Sequence, residues 1–251
     1  IVTNATYSQS AGLCENCELI GRRFPIALVR LKGDIFEVST FVTESEDQSI
    51  AVIRKREKGE DRTPGTMLED SSRRDFTINA LYYCPVEDRI FDGEGGLNDL
   101  SQKKLVFIGD AESKIQEDPV RIIRGIRQSH QFGLEISDEL NDLFKKYAHK
   151  IDLSSKSRLI EEINKIFGCG HCFEVFQKLI ELGIFSKAFP QFYLFMKEEF
   201  ALTENNINMT AILKEVDGIV KKHGKMRESI LFGALCIPHV LREEGDIWNN
   251  N

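Results

Sequence analysis

With 251 residues, 41% of them hydrophobic and 29% charged, the chain has the composition of a globular protein, enough for one large domain or two to three small ones. A net charge of -7 argues against a protein that coats nucleic acid non-specifically, while leaving room for a local basic groove. No apolar run reaches the length of a membrane span and no signal peptide is visible, so a cytoplasmic protein is expected.

The first residue is Ile1 rather than Met, which suggests a chain that starts inside a longer protein. Ile1-Val2-Thr3 is β-branched and reads as the end of a strand entering from upstream. A short helix is expected near Ser8–Cys14. A hairpin follows, with strands at Ile26–Leu31 and Ile35–Phe41 and a type II′ turn at Gly33-Asp34. In its second strand Phe36, Val38 and Thr40 point one way and Ile35, Glu37 and Ser39 the other, so Glu37 is an acid in mid-strand. Residues 42–71 are polar and charge-mixed, with Arg54-Lys55-Arg56, and read as a loop.

The stretch on which the chain turns is Arg73-Arg74-Asp75-Phe76-Thr77-Ile78-Asn79-Ala80-Leu81-Tyr82-Tyr83. Arginines supply forked donors that fit phosphate oxygens. Asp75 and Asn79, at i and i+4, would share one face of a helix and could hold a ribose by its hydroxyls. The alternative is a surface ion pair capping an ordinary helix, and these residues alone leave both open. Asp92-Gly93-Glu94-Gly95-Gly96 comes next, three glycines in four residues, where the backbone needs unusual dihedrals or freedom to flex. It lacks the Lys-Ser/Thr of a phosphate loop and reads as a hinge between domains, ahead of a short strand at Lys104–Ile108.

From Glu117 onward the pattern is helical, opened by Asp118-Pro119 as N-cap and first helical residue. Arg121, Arg124 and Arg127 recur every three residues on one slowly drifting face, opposite Val120, Ile122, Ile123 and Ile126. Such a stripe meets either an anionic ligand or acids elsewhere in the fold. Further helices are expected at Ser137–Ala148, Ser157–Phe167, Cys172–Leu182, Met209–His223 and Ser229–Val240. Two C-x-x-C pairs, Cys14/Cys17 and Cys169/Cys172, lie too far apart in sequence for a shared zinc site, and the second follows a helix rather than a strand. Unpaired thiols in a reducing compartment are expected.

Arg73-Arg74-Asp75 to Asn79-Ala80, then Asp92-Gly93 to Gly95-Gly96, then Glu117-Asp118-x-x-Arg121, in that order, resemble motifs of the class II nucleotidyltransferases, the superfamily of bacterial poly(A) polymerases and tRNA CCA-adding enzymes. The resemblance runs from residue 1 to about Phe192 and more weakly through Leu231–Val240. Leu19-Ile20-Gly21-Arg22-Arg23-Phe24 and the spelling Glu117-Asp118-Pro119-Val120-Arg121 are similar to the poly(A) polymerase side. It implies an α+β fold: a partial nucleotidyltransferase head at 1–100, a small mixed sheet with helices, then an all-α neck at 101–170 and body at 171–251. It also implies addition of AMP from ATP to an RNA 3′ end, in mRNA or tRNA, with two Mg²⁺ ions.

The resemblance further implies the site residues. Glu37 matches a metal-holding catalytic acid whose Asp-x-Asp partners would lie just before Ile1, so the chain as given is expected to be inactive. Arg74, Arg124 and Arg127 fall near the nucleotide. Asp75 and Asn79 fall at the ribose, with Asp75 also supporting the catalytic acids. Asp118 and Arg121 read the base: an acceptor for an amino group beside a donor to a ring nitrogen takes A and C and rejects G and U. Thr66–Ser72 is shorter than the matching segment of the family. The other readings are a CCA- or A-adding enzyme and a degenerate, non-catalytic RNA-binding module.

Overall fold

The computed structural model describes residues 1–13, 16–20, 26–42, 64–190, 193–194, 209–224 and 233. The chain divides into two units, Ile1–Leu97 and Asn98–Asn251. The expected helix at Ser229–Val240, the basic run Arg54-Lys55-Arg56 and Gly21–Phe24 lie outside the described residues.

The first unit is built on a four-stranded mixed sheet in the order β1-β4-β3-β2, with β1 at Val2–Thr3, β2 at Cys17–Ile20, β3 at Ile26–Leu31 and β4 at Asp34–Thr40. β1 runs parallel to β4, with Val2 opposite Ser39 and Thr3 opposite Thr40; the other pairs are antiparallel. Helix α1 (Tyr7–Leu13) packs on β2, β3 and β4 and covers Ala27 and Thr40, whose hydroxyl donates to the Ala5 carbonyl at 2.8 Å. Register places Glu18, Leu28 and Glu37 in one row across the sheet, on the face opposite to Ala27 and Val38. The hairpin turn differs from the type II′ expected at Gly33-Asp34. Lys32 (φ 51°) and Gly33 (φ 93°) both adopt positive φ and Leu31 pairs with Asp34. Two successive left-handed residues make a type I′ turn, whose twist suits the flanking strands.

Within the stretch expected to be a loop lies α2 (Met67–Ser72), opened by a capping box. The Thr66 hydroxyl accepts from the Glu69 N–H and the Glu69 carboxylate accepts from the Thr66 N–H at 2.7 Å. The helix expected across the Arg73–Tyr83 stretch does not form. Phe76 is extended (φ −125°, ψ 149°) and fully buried, Thr77–Asn79 make one 3₁₀ turn, and Leu81–Cys84 (β5) pairs with Arg89–Asp92 (β6) as a hairpin. The two tyrosines favour the extended backbone of β5, and burial of Phe76 and Ala80 draws the chain inward ahead of it. The Asp92 carboxylate then accepts from the Gly96 and Leu97 N–H groups, each at 2.9 Å. Burial works against ionisation of Asp92, but N–H groups of Leu97, Gly96, Glu94 and Gly95 outweigh it and hold the carboxyl below its ordinary range. Gly96 is required by close approach: a Cβ there would meet the Thr77 carbonyl oxygen at 2.4 Å.

The second unit is helical. After α3 (Gly96–Ser101) come α4 (Ala111–Glu117), α5 (Val120–Phe132), α6 (Asp138–Tyr147), a 3₁₀ segment (Ala148–Leu153), α7 (Lys156–Phe167), α8 (Cys172–Glu181), α9 (Ile184–Ala188) and α10 (Met209–His223). Asp110, Ser137 and Ser155 each cap a helix by accepting from a backbone N–H three residues on. α4 was not foreseen, and no strand runs through Lys104–Ile108: Lys104 makes an isolated bridge to Glu135, and Leu105, Phe107 and Ile108 are buried. The core includes Ile115, Ile122, Ile126, Phe144, Ile151 and Ile166, with Phe176 edge-on to Phe185 at 5.1 Å.

Cys169 and Cys172 are buried free thiols, and burial pushes both above the ordinary thiol range, which disfavours the thiolate form that redox chemistry uses. Cys14 of the other pair lies outside the described residues. Buried Asp217 on α10 accepts from the Cys172 N–H at 2.6 Å and the Phe173 N–H at 3.0 Å, so one helix caps another across 45 residues of sequence. Asp217→Ala strands both donors away from water. It should cost about 2–3 kcal/mol in urea unfolding, with Asp217→Asn recovering part of the loss.

Candidate functional site

In the first unit the chemistry-bearing residues gather around an acid that motif matching passes over. Asp70, on α2, is 2% exposed. Its Oδ2 accepts from Arg74 Nη2 at 2.6 Å, from Arg74 Nε at 3.2 Å and from the Tyr82 hydroxyl at 2.7 Å. Arg73 Nε lies 3.5 Å from Oδ1. Tyr82 reaches Asp70 from β5, and its ring packs edge-on to Phe41 at 5.8 Å. Burial works against the Arg74 charge, but the hydrogen bond and charge of Asp70 more than offset it, so the guanidinium is held above its ordinary range.

The remaining sequence-predicted residues of this unit are placed differently from expectation. Asp75 precedes the 3₁₀ turn and Asn79 closes it, so the two do not occupy i and i+4 of an α-helix. Asn79 is exposed and Asp75 half-buried. Glu37 sits exposed in the middle of β4, where its carbonyl accepts from the Ile1 amino group at 2.7 Å. Glu18, in the same row, is about 10 Å away across two strand spacings and is bonded to Arg30 at 3.0 Å. Among the described residues no group of three His, Cys, Asp or Glu side chains could hold a metal ion. Glu37 alone therefore does not constitute the two-metal donor set that the family resemblance implies.

In the second unit the arginine stripe of α5 is met by acids. Glu162, on α7 and 1% exposed, takes Arg124 Nε at 3.1 Å and Arg127 Nε at 3.3 Å; Arg127 also donates to Gln131. Arg121 Nη1 donates to Glu117 and to the Lys114 carbonyl, both at 2.6 Å. The arginines are thus oriented by acids elsewhere in the fold, two of them sharing the one Glu162 carboxylate.

Asp118 lies between α4 and α5, with Pro119 rather than Asp118 at the helix boundary. The carboxylate is 7% exposed. Its Oδ1 accepts from the Val120 N–H at 3.3 Å. Arg158 Nη2 stands 2.9 Å from Oδ2, yet Oδ2 receives no hydrogen bond: the contact is an ion pair without a hydrogen bond's directionality. The predicted base-reading acid is thus ion-paired with Arg158 while its Oδ2 accepts no hydrogen bond. The Arg121 backbone N–H bonds the Asp118 carbonyl at 3.1 Å, which ties the two predicted base-reading residues to one helical turn.

Of the residues that sequence inspection missed, Asp70 carried a local signal, since it stands three and four residues before Arg73 and Arg74. Glu162 and Arg158 carried none, being 35 to 40 residues from their partners.

Residues 1–106 match the Poly A polymerase head domain, and residues 133–195 match the probable RNA and SrmB-binding site of polymerase A. Poly(A) polymerase I of Salmonella typhi is 32% identical over 240 residues, covering 94% of this chain and 51% of that protein. A CCA-adding enzyme of Bacillus cytotoxicus is 29% identical over 198 residues, covering 79% of this chain and 48% of its own length. The chain therefore spans about half the length of the curated relatives it matches. The crystal structure of the Bacillus stearothermophilus CCA-adding enzyme in complex with CTP shares the fold, with a TM-score of 0.66 at 20% identity over 96% of this chain and 60% of that one.

Two outcomes follow from the buried acids. Glu162→Ala removes the carboxylate that two largely buried guanidiniums share and should lower stability by about 3 kcal/mol in chemical denaturation. Burial, together with the hydrogen bond to Asp70 and its charge, pushes the Tyr82 hydroxyl up to about 12 against the opposing pull of Arg74. The folded value lies above the unfolded one, so the contribution is complete below pH 10 and is lost as pH rises toward 12. Stability measured against pH should fall less steeply in that window for Tyr82→Phe.

Proposed function

Because this chain belongs to the class II nucleotidyltransferases, the family of poly(A) polymerases and CCA-adding enzymes, we propose that it acts as a template-independent RNA nucleotidyltransferase adding AMP from ATP to RNA 3′ ends. The reaction is in-line attack of the RNA 3′-hydroxyl oxygen on the α-phosphorus, with departure of pyrophosphate. The observation that carries the proposal is the Asp118 carboxylate, buried and with Oδ2 outside any hydrogen bond.

A buried acceptor without a hydrogen bond is costly by itself and matched by a ligand amino group. Adenine offers its amino donor beside a ring-nitrogen acceptor, and Arg121, with its side chain 13% exposed, supplies the donor for the second position. Guanine and uracil present the reverse arrangement and would leave the Asp118 oxygen facing a carbonyl. In the first unit Arg74 serves the phosphates, while Asp75 and Asn79 serve the ribose. Arg124 and Arg127, fixed by Glu162, support the base-reading helix and contribute positive potential. Within the second unit we assign 101–170 as neck and 171–251 as body. RNA engagement is assigned to the segment that matches the RNA-binding family.

Mg²⁺ is the cofactor this activity calls for, and Glu37 is the ligand the chain offers. Because β1 runs parallel to β4, a residue just before Ile1 that continued the register would lie opposite Glu37 and on its face. Carboxylates there would complete the set. Preference for ATP over CTP addition is supported by higher identity, over more of the chain, to the poly(A) polymerase than to the CCA-adding enzyme. CCA or A addition is the second reading, and measurable CTP incorporation on tRNA would favour it. Nucleotide binding without any AMP transfer, even when upstream carboxylates are supplied, would instead favour an RNA-binding module.

The test is equilibrium binding of the four ribonucleoside triphosphates to this chain. ATP should bind more tightly than GTP or UTP. Asp118→Ala should weaken ATP about tenfold and erase that preference, without loss of cooperative unfolding. Equal affinity of the parent chain for all four would refute the assignment.

A further inference from the structure

We infer that Asp70 and Tyr82 form a positioning pair that aims the Arg74 guanidinium at the phosphates of the bound nucleoside triphosphate. This role rests on the nucleotide-binding function proposed above for Arg74.

Three separate elements meet at one oxygen. Asp70 comes from α2, Arg74 from the residues just past its end, and Tyr82 from β5. Oδ2 takes two nitrogens of Arg74 and the tyrosine hydroxyl, while Oδ1 faces Arg73. An arginine side chain carries about 2 kcal/mol of rotamer entropy, so an unrestrained guanidinium spends most of its time away from any one phosphate. Gripping both Nε and Nη2 fixes the plane of the group as well as its place. The grip is itself fixed, since Asp70 is 2% exposed and the Tyr82 ring packs against Phe41.

Held in this way, both arginine side chains still reach solvent, at 27% and 36% exposure. Ion pairing of Arg74 alone would require only one carboxylate contact. The added tyrosine hydroxyl bonds the same oxygen as Arg74 and holds the carboxylate in place, with its other oxygen toward Arg73. Asp70 and Tyr82 act through Arg74 and need not touch the nucleotide.

The experiment measures affinity of the full 251-residue chain for ATP and for adenosine, which lacks phosphates, in the parent and in Asp70→Asn, Tyr82→Phe, Arg74→Ala and the double variants. Asp70→Asn should weaken ATP by about tenfold and Tyr82→Phe by about threefold, with adenosine changed less than about twofold. On an Arg74→Ala background neither should weaken ATP further, because their effect passes through that side chain. A parallel fall in adenosine affinity, full additivity with Arg74→Ala, or unchanged ATP affinity in Asp70→Asn while Arg74→Ala loses it, would overturn the positioning role alone. Absence of ATP binding in the parent, or an Arg74→Ala variant that binds ATP normally, would overturn the assignment of Arg74 beneath it and this role with it. Should Asp70→Asn fail to fold, the Tyr82→Phe comparison decides by the same criteria.

Discussion

A carboxylate withdrawn from water is tolerated only when other groups replace its hydration, and that constraint organises both units of this protein. Asp70, Asp118, Glu162 and Asp217 are all buried. Asp217 is satisfied by backbone N–H groups at the start of α8 and joins two helices. Asp70 and Glu162 are satisfied by arginines, and each holds a pair: Arg73 with Arg74, and Arg124 with Arg127. Burial of the acid is what gives these pairs definite geometry, since an exposed partner would leave the long side chains free to reorient.

Asp118 departs from that pattern. Arg158 neutralises its charge but leaves Oδ2 without a hydrogen bond. Hydrogen bonds on its oxygens suit a structural group, whereas an ion-paired oxygen that accepts none keeps the capacity to take one from a ligand. The contrast between Asp118, between α4 and α5, and Glu162, on α7, separates the residue suited to reading a base from the one suited to holding the reader still.

The same contrast recasts the arginine stripe. Arg121, Arg124 and Arg127 are not a bare cationic surface, because the acids that meet them come from α4 and α7. A chain with a net charge of -7 can therefore carry local sites for an anionic substrate without a broadly basic face. The first unit repeats the device at smaller scale, with Tyr82 as an additional support.

Sequence by itself determined what local patterns encode. The hydrophobic spacing of the later helices, the strands of the β3–β4 hairpin, and the order of the three motifs were legible because each depends on residues a few positions apart. The hairpin's turn type was not, since Lys32 entering the left-handed region follows from pairing Leu31 with Asp34. Nor was the end of the helical pattern after Arg73, where burial of Phe76 and pairing of β5 with β6 override the i, i+4 spacing of Asp75 and Asn79. Tertiary structure alone decided that Glu162 meets Arg124 and Arg127 and that Arg158 meets Asp118. Glu162 and Arg158 lie 35 to 40 residues from their partners, and only packing of α7 against α5 brings such distant charges within bonding reach.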